Sequence, residues 1–301
     1  MSDVNIECIA ESQCTLGEGP VWDSRAQALY WVDILDNKIF RYELATESTE
    51  WWETPEHIGF LILTEDISLI AGLKSGLHRI QLKDRHQISL ERIDCVDEGL
   101  DHIRFNDGIC DLQGRIWGCT MDMGQEDPLG KYYCYDHEMN RTTVDEGYVV
   151  ANGPALSPDG KKLYTVETVG GTAIQQGIYM TDIDENKING RRRLLIEWKD
   201  KAGVPDGVTT DAKGNLWVGV FGGNTLRCFS ENGNLKQEVR LPAWNITKAT
   251  IGGAHLDTIY VTTAKLETKQ DVLTQFPKTG GIFGISGMDV QGQDTAYFGL
   301  K

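Results

Sequence analysis

The amino-acid sequence predicts an all-β protein, a six-bladed β-propeller whose four-stranded blades surround a central channel. Three observations support this prediction. A short apolar and aromatic motif recurs six times, its copies are 40 to 53 residues apart, and little of the chain has the 3.6-residue period of an amphipathic helix. Repeats of roughly 40 to 50 residues with about four strands each are typical of propeller blades.

The recurring motif is predicted to be the second strand of each blade, because it is rich in β-branched and aromatic residues. Its copies begin at residues 28, 68, 115, 162, 215 and 258 and read ALYWVDI, SLIAGL, RIWGCT, KLYTVE, NLWVGV and TIYVTT. A further strand follows most copies, in the segments KIFRYEL, GLHRIQL, KYYCYD, GIYMTDI, TLRCFS and GGIFGI. Turn dipeptides such as Asp159-Gly160 and Asn232-Gly233 separate these strands.

The repeats extend through the chain without a linker or a shift in composition, so residues 1–301 are predicted to form a single domain. An open row of blades would leave unpaired sheet edges at both ends, and such edges promote aggregation. We therefore expect a closed ring, in which the N-terminal segment NIECIAES (5–12) completes the last blade.

Charge and cysteine content limit the partners and the compartment. The 29 Lys and Arg residues are outnumbered by 45 Asp and Glu residues, which gives a formal charge of −16. This charge repels phosphate backbones and anionic lipids, so we expect no nucleic-acid or membrane partner, and no obligate protein partner is evident. The N-terminus lacks the pattern of a leader, and the seven cysteines are odd in number, so a cytoplasmic protein with reduced thiols is expected.

Four predicted inner strands carry an oxygen-bearing side chain at the same position. Counted back 10 or 11 residues from the second residue of the recurring motif, these side chains are Glu18, Asn106, Asn152 and Asp206. Equivalent inner-strand positions of a propeller converge at one end of the channel, so we expect the four side chains to face one another.

Taken singly, each of these residues is typical of a turn. Two carboxylates brought close together, however, repel each other unless a positive charge lies between them, and a divalent cation meets that need. Oxygen ligands suit Ca²⁺, Mg²⁺ or Mn²⁺, although zinc or ferrous iron can occupy similar sites. In the other two blades His57 and Lys248 lie near the same level. We expect Lys248 at the surface, with contact to a substrate anion as the alternative, and His57 as a surface or hydrogen-bonded core residue.

The segments LGEGPVWD, RFNDGICDLQGRIWGCTMD, NGPALSPDGKKLY, PDGVTTDAKGNLWVG and IGGAHLDTIYVTTA resemble successive motifs of the gluconolactonase/regucalcin (senescence marker protein) family, which luciferin-regenerating enzyme shares. LTQFPKTGGIFGI is similar to the tail of bacterial sugar lactonases. The resemblance implies one divalent metal in the channel, with Ca²⁺ expected and Zn²⁺, Mn²⁺, Mg²⁺ or Fe²⁺ as alternatives. It also implies hydrolysis of aldonolactones, such as glucono-, xylono- or arabinonolactone, to aldonic acids.

Carried over residue by residue, the resemblance implies that Glu18, Asn152 and Asp206 bind the metal and that Asp206 is also the general base. It implies that Arg104 and Asn106 hold the substrate. Two departures bear on which sugar is bound. Ala254 and His255 replace a proline and an aspartate, and Gly124 replaces an acidic substrate-binding residue of animal members, for which Asp122 is the expected substitute.

The implied chemistry needs no serine nucleophile, and the chain has no G-x-S-x-G elbow. A cation would polarise the lactone carbonyl while a carboxylate accepts a proton from water. Two alternatives stay open. One is a metal-dependent phosphotriesterase or luciferin-regenerating type of hydrolase, and the other is a non-catalytic calcium-binding propeller.

Overall fold

The computed structural model describes residues 4–96, 99–184, 187–199 and 201–299. These residues form six antiparallel sheets of four strands each, which confirms the predicted six-bladed propeller. The described part of the chain has one short helix, α1 (Gln270–Gln275), between two strands of the sixth blade. No helix in the described ranges is long and apolar enough to cross a membrane.

Each of the first five blades runs outward from the channel in chain order. The first blade contains β2 (Gly17–Asp23), β3 (Ala28–Asp33), β4 (Lys38–Glu43) and β5 (Ser48–Glu53). The second contains β6 (Ile58–Leu63), β7 (Leu69–Leu73), β8 (Gly76–Leu82) and β9 (Ile88–Asp94). The third contains β10 (Ile103–Cys110), β11 (Ile116–Asp122), β12 (Gly130–Tyr135) and β13 (Arg141–Tyr148).

The remaining blades follow the same plan until the last strand. The fourth contains β14 (Ala151–Leu156), β15 (Lys162–Glu167), β16 (Gly177–Asp184) and β17 (Lys187–Glu197). The fifth contains β18 (Val204–Thr210), β19 (Leu216–Phe221), β20 (Thr225–Phe229) and β21 (Leu235–Arg240). The sixth contains β22 (Asn245–Gly252), β23 (Thr258–Ala264), β24 (Ile282–Ser286) and, as its outer strand, β1 (Asn5–Ala10).

The ring is closed by the two ends of the chain. β1 pairs antiparallel with β24, with Ile6 opposite Ile285 and Cys8 opposite Phe283. The inner strands of successive blades contact each other in order, and β2 contacts both β6 and β22. The outward edge of β24 is thus covered by the N-terminal segment.

The hydrophobic core lies between the blades. Because blades pack face to face, a second strand is covered on both sides, and every residue of β3, β7 and β11 is buried. Four tryptophans are buried in these layers: Trp22, Trp31, Trp117 and Trp217. This packing fixes the inner strands around the channel.

All six inner strands carry a β-bulge. Their pairing with the second strand shifts register at 18–21, 58–60, 105–107, 152–155, 205–208 and 246–249. A bulge adds backbone between paired positions and changes the direction of the side chains there. The four aligned residues of the sequence, Glu18, Asn106, Asn152 and Asp206, all lie within or at the edge of these shifts.

The ends of the inner strands that lie away from the bulges are covered by the C-terminal segment, residues 290–299. Gln293 Nε2 donates to Thr210 Oγ1 at 2.9 Å, and Phe298 N donates to Leu63 O at 2.8 Å. A cavity of about 190 Å³ lies at this end, between residues 293–296 and the ends of the inner strands. The C-terminal segment therefore links several blades without contributing a strand to any of them.

Candidate active site

The four predicted channel residues come from four different blades and are all buried. Glu18 is the second residue of β2, Asn152 is the second of β14, and Asp206 is the third of β18. Asn106 is the fourth residue of β10. Their relative exposures are only 4 to 6%. Side chains this polar are buried only where partners or ligands compensate for lost water.

A chain of hydrogen bonds orients the two amides. Arg104 Nη1 donates to Asn106 Oδ1 at 2.7 Å, and Asn106 Nδ2 donates to Asn152 Oδ1 at 2.9 Å. Asn152 Nδ2 in turn donates to Thr168 Oγ1 at 2.9 Å. Because Thr168 accepts from the amide nitrogen, the Asn152 oxygen is held toward the Asn106 side. Thr168 lies just beyond the end of β15, and no sequence pattern identified it.

The two carboxylates are in an environment that disfavours their charge. Glu18 Oε2 accepts a hydrogen bond from Gly19 N at 2.9 Å, and Gly19 has a left-handed φ of 53° that suits glycine. Burial and then the nearby Asp107 charge raise the pKa of Glu18 to about 8. Burial, followed by the charges of Glu18 and Asp107, raises the pKa of Asp206 well above its usual range. The positive charge near the two carboxylates is therefore too small to stabilise both ionised forms.

Arg104 contributes part of that charge without forming an ion pair. Burial lowers its pKa to about 10, while the charges of Glu18 and Asp206 act in the opposite direction, so the guanidinium stays protonated near neutral pH. Its Nη1 atom also donates to Phe105 O at 2.9 Å. Among the described residues, Arg104 forms hydrogen bonds through Nη1 alone, which leaves its other donors for a bound molecule.

Lys248 does not lie at the surface, as its sequence position had suggested. It is 3% exposed, and its Nζ lies 2.6 and 2.7 Å from the two carboxylate oxygens of Asp107. The expected surface location was wrong because the bulge in β22 directs this side chain into the channel. Sequence spacing placed Lys248 near the level of the channel residues, but it could not pair Lys248 with Asp107, since the two lie on β22 and β10 in opposite blades.

Asp122 holds a loop in this structure. Its oxygens accept hydrogen bonds from the backbone N–H groups of Gly124, Glu126 and Asp127, each at 3.1 Å. Burial raises its pKa, but the N–H donors of Asp127, Glu126 and Gly124 outweigh it, and the net pKa is lowered. The carboxylate is therefore ionised at neutral pH, and its contact with substrate stays a prediction.

Three other positions singled out in the sequence, Ala254, His255 and His57, lie at different places relative to the channel. Ala254 and His255 are exposed in the turn between β22 and β23, beyond the end of β22 that is away from its bulge. His57 precedes β6, and its Nδ1 is buried without a hydrogen-bond partner among the described residues. His57 is half-buried, so of its two expected locations the hydrogen-bonded core is contradicted and the surface is not. Burial and the charge of Arg104 lower the pKa of His57 and keep it neutral.

The donor set fits a divalent cation. Within the described ranges, neither Glu18 nor Asp206 forms an ion pair with a basic side chain. In those ranges, His, Cys, Asp and Glu side chains alone do not form a group of three or more that could hold a metal ion. A site here would therefore combine the two carboxylates with the oriented Asn152 oxygen, and such an all-oxygen set suits Ca²⁺ or a similar hard cation.

Comparison with known proteins shows extensive similarity. Residues 16–265 match the model of the SMP-30/Gluconolactonase/LRE-like region. The chain is 32% identical to 6-deoxy-6-sulfogluconolactonase of Pseudomonas putida over 92% of this chain and 93% of the relative. It is 30% identical to regucalcin of Xenopus laevis over 99% of this chain and 100% of the relative. A solved structure of luciferin-regenerating enzyme has a TM-score of 0.90 at 27% identity, covering 99% and 100% of the two chains.

Proposed function

Because this chain belongs to the SMP-30/Gluconolactonase/LRE-like family, we propose that it hydrolyses sugar lactones to aldonic acids with a divalent cation in its channel. The observation that carries this proposal is the pairing of Glu18 and Asp206, two buried carboxylates without an ionic partner in the described chain, with the Asn152 amide oxygen. The similarity to a sulfogluconolactonase supports a sugar lactone as the substrate class.

Glu18, Asn152 and Asp206 would hold the cation. When bound, a divalent cation supplies Lewis acidity to the lactone carbonyl and stabilises developing negative charge. Asp206 is proposed to accept the proton of the attacking water, because burial and the charges of Glu18 and Asp107 raise its pKa well above the usual range of an aspartate.

Arg104 and Asn106 are proposed to position the sugar. The free donors of Arg104 suit hydroxyl or ring oxygens, and its bond to Asn106 keeps the guanidinium fixed in the channel wall. Asp122, at the end of β11, is proposed to contribute through the loop that it holds. We propose Ca²⁺ as the ion, since all candidate ligands are oxygens, with Zn²⁺, Mn²⁺, Mg²⁺ and Fe²⁺ to be compared.

The second candidate is a luciferin-regenerating type of hydrolase or a phosphotriesterase that uses the same cation. The 0.90 TM-score with luciferin-regenerating enzyme favours keeping this candidate. This second candidate predicts hydrolysis of non-sugar esters, in which Arg104 would have no sugar hydroxyl to bind.

One substrate panel separates the candidates. Protein stripped by a chelator is assayed with aldonolactones and an aryl phosphotriester, with and without each of the five cations. Sugar-lactone hydrolysis that is lost on chelation and restored by one cation supports the proposal. Asp289→Asn, which changes an exposed carboxylate, serves as the matched control for Asp206→Asn. Full lactonase activity in protein shown to be metal-free by elemental analysis would contradict it.

A further inference from the structure

The Asp107–Lys248 ion pair crosses the channel and is not used by the proposed mechanism. Asp107 belongs to β10 in the third blade, whereas Lys248 belongs to β22 in the sixth. These blades are opposite each other in a ring of six, so the pair, here called the crossbar, spans the channel. The side chains of Lys248 and Asp107 are only 4% and 2% exposed.

The backbone makes room for this ion pair beside the proposed cation ligands. A Cβ atom at Gly207 would lie 2.6 Å from Lys248 Cβ and Cγ, so the lysine stem passes directly over the residue after Asp206. At the other end of the crossbar, Asp107 follows Asn106 within the same bulge. Both ends of the crossbar are thus adjacent in sequence or in space to residues of the candidate site.

Both oxygens of the Asp107 carboxylate have hydrogen-bond donors, and Lys248 supplies its positive partner. Its ammonium group contacts both oxygens, and Gly108 N donates to Oδ1 at 2.7 Å. Without the lysine, Asp107 would be a third buried carboxylate close to Glu18 and Asp206, because its charge acts on both of them. Three carboxylates would bind a divalent cation more tightly than two.

We propose that Lys248 withholds Asp107 from the channel cation and thereby limits the site to two carboxylate ligands. The inference rests on the proposed function, since it concerns the same cation. A cation bound by fewer negative ligands keeps more of its Lewis acidity and more of its open positions for water and substrate. Lys248 is in this sense a positioning residue, because it acts on the cation site through Asp107.

The test is the affinity of metal-free protein for Ca²⁺ and, separately, Zn²⁺, measured by calorimetric titration. Lys248→Met should bind the cation at least about tenfold more tightly, because it removes a positive charge and frees Asp107. Asp107→Asn should bind it about tenfold more weakly, because it leaves the lysine charge unpaired. The double variant should return to within roughly threefold of the unmodified protein. Lys213→Met, which removes an exposed positive charge, is the matched control and should change nothing.

The proposal is supported if cation affinity shifts in opposite directions in the two single variants and is restored in the double variant. Weaker or unchanged binding in Lys248→Met overturns it, because a merely structural role would weaken every variant. If Lys248→Met does not fold, Lys248→Gln and the double variant provide the same comparison against Asp107→Asn. Absence of cation binding in the unmodified protein overturns both this inference and the proposed function, whereas binding without lactone hydrolysis overturns only the latter.

Discussion

We propose separate roles for Glu18 and Asp206, because different features of the structure fix the two carboxylates. Glu18 is held between two glycines, with Pro20 following, and accepts a hydrogen bond from Gly19 N. This constrained setting suits a residue whose function is to hold the cation. Asp206 lies in the bulge of β18, beside two other negative charges, which suits a carboxylate that must also accept a proton.

Asp206→Asn should lower kcat by roughly 10² to 10⁴ while much of the cation remains bound, since the amide keeps an oxygen ligand but cannot serve as the base. Glu18→Gln should weaken cation binding and recover much of its activity in excess cation. Lactonase assays across a cation titration measure both effects. Equal recovery of the two variants would show that Asp206 is only a ligand and that the base lies elsewhere.

The raised pKa of Glu18 predicts that cation affinity depends on pH. In metal-free protein Glu18 titrates near pH 8, so below this pH a proton must leave before the cation binds. Affinity should therefore fall by about tenfold for each pH unit below 8 if one proton is released. Titrations from pH 6 to 9 in buffers of different ionisation enthalpy give both the affinity and the proton count.

The same shift has a consequence for stability. The pKa of Glu18 is about 8 in the folded protein and about 4.5 in the unfolded chain, so its contribution to stability is fully present below pH 4.5 and is lost as pH rises from there to about 8. Glu18→Gln should remove this part of the pH dependence in metal-free protein. In the cation titrations, an affinity that does not depend on pH, together with no proton release, would mean that Glu18 is already ionised.

Arg104→Ala should reduce kcat/KM by about 10- to 100-fold, the usual worth of a hydrogen bond from a charged group. The loss should appear mainly in KM, and the cation content should be unchanged, because the hydrogen bonds of Arg104 reach the proposed ligand Asn152 only through Asn106. Steady-state kinetics with elemental analysis provide the measurement, and Arg104→Lys tests whether charge alone suffices. Loss of the cation in Arg104→Ala would place the residue in the metal site instead.

At the residue scale, the sequence predicted those positions that repeat from blade to blade. Glu18 and Asp206 could be found by counting back from a strand motif, because equivalent positions face one channel. Lys248 and Asp107 could not be paired in this way. Their contact joins opposite blades, and no spacing along the chain distinguishes a lysine that crosses the channel from one at the surface.

At the scale of elements, the second and third strands of every blade were predictable from their composition, but the bulges were not. The segments around Gly19, Gly153 and Gly207 contain residues that normally signal turns. In the structure they lie within β2, β14 and β18, at the register shifts. The same backbone freedom that favours a turn also permits a bulge, and only the pairing of neighbouring strands decides between them.

A buried aspartate joins the first and second strands in two blades. Asp211 Oδ1 accepts from Asn215 N at 2.9 Å, and Asp211 Oδ2 accepts from Trp217 Nε1 at 3.1 Å. Asp111 makes the equivalent bonds to Arg115 N and Trp117 Nε1, each at 2.8 Å. The aspartate therefore fixes both the turn and a tryptophan that packs between blades.

Asp211→Ala should destabilise the fold by about 3 kcal/mol, because it leaves several buried donors without an acceptor. Cation affinity should stay unchanged, since Asp211 lies beyond the end of β18 that is away from the bulge. Urea unfolding measures the stability, and Asp289→Ala, at an exposed ion pair, should change it by less than about 0.5 kcal/mol. Equal stability of the two variants would contradict the role assigned to this aspartate.

At the scale of the whole molecule, the number of blades followed from the number of repeats, and closure followed from the cost of exposed edges. The path of residues 290–299 across the far end of the channel could not be predicted from the sequence. That segment has no strand of its own, and it binds through scattered groups such as Gln293 and Phe298, which no periodic pattern identifies.

Ring closure by β1 predicts that removing residues 2–11 will destabilise the entire protein. The deletion exposes the edge of β24, including Ile282, Phe283 and Ile285, and removes its ladder of hydrogen bonds. A loss of roughly 5 kcal/mol is expected from those bonds. For a chain of this size, that loss corresponds to a fall in Tm of about 10 °C.

The exposed edge should also make the truncated protein aggregate as its concentration rises. Calorimetry and light scattering measure the two effects, and deletion of residues 2–4, which leaves β1 intact, is the matched control. A synthetic peptide of residues 2–12 should restore the Tm when added in excess, because it can pair with β24 as the native strand does. An unchanged Tm after the longer deletion would show that interlocking of the blades and the C-terminal segment holds the ring closed without β1.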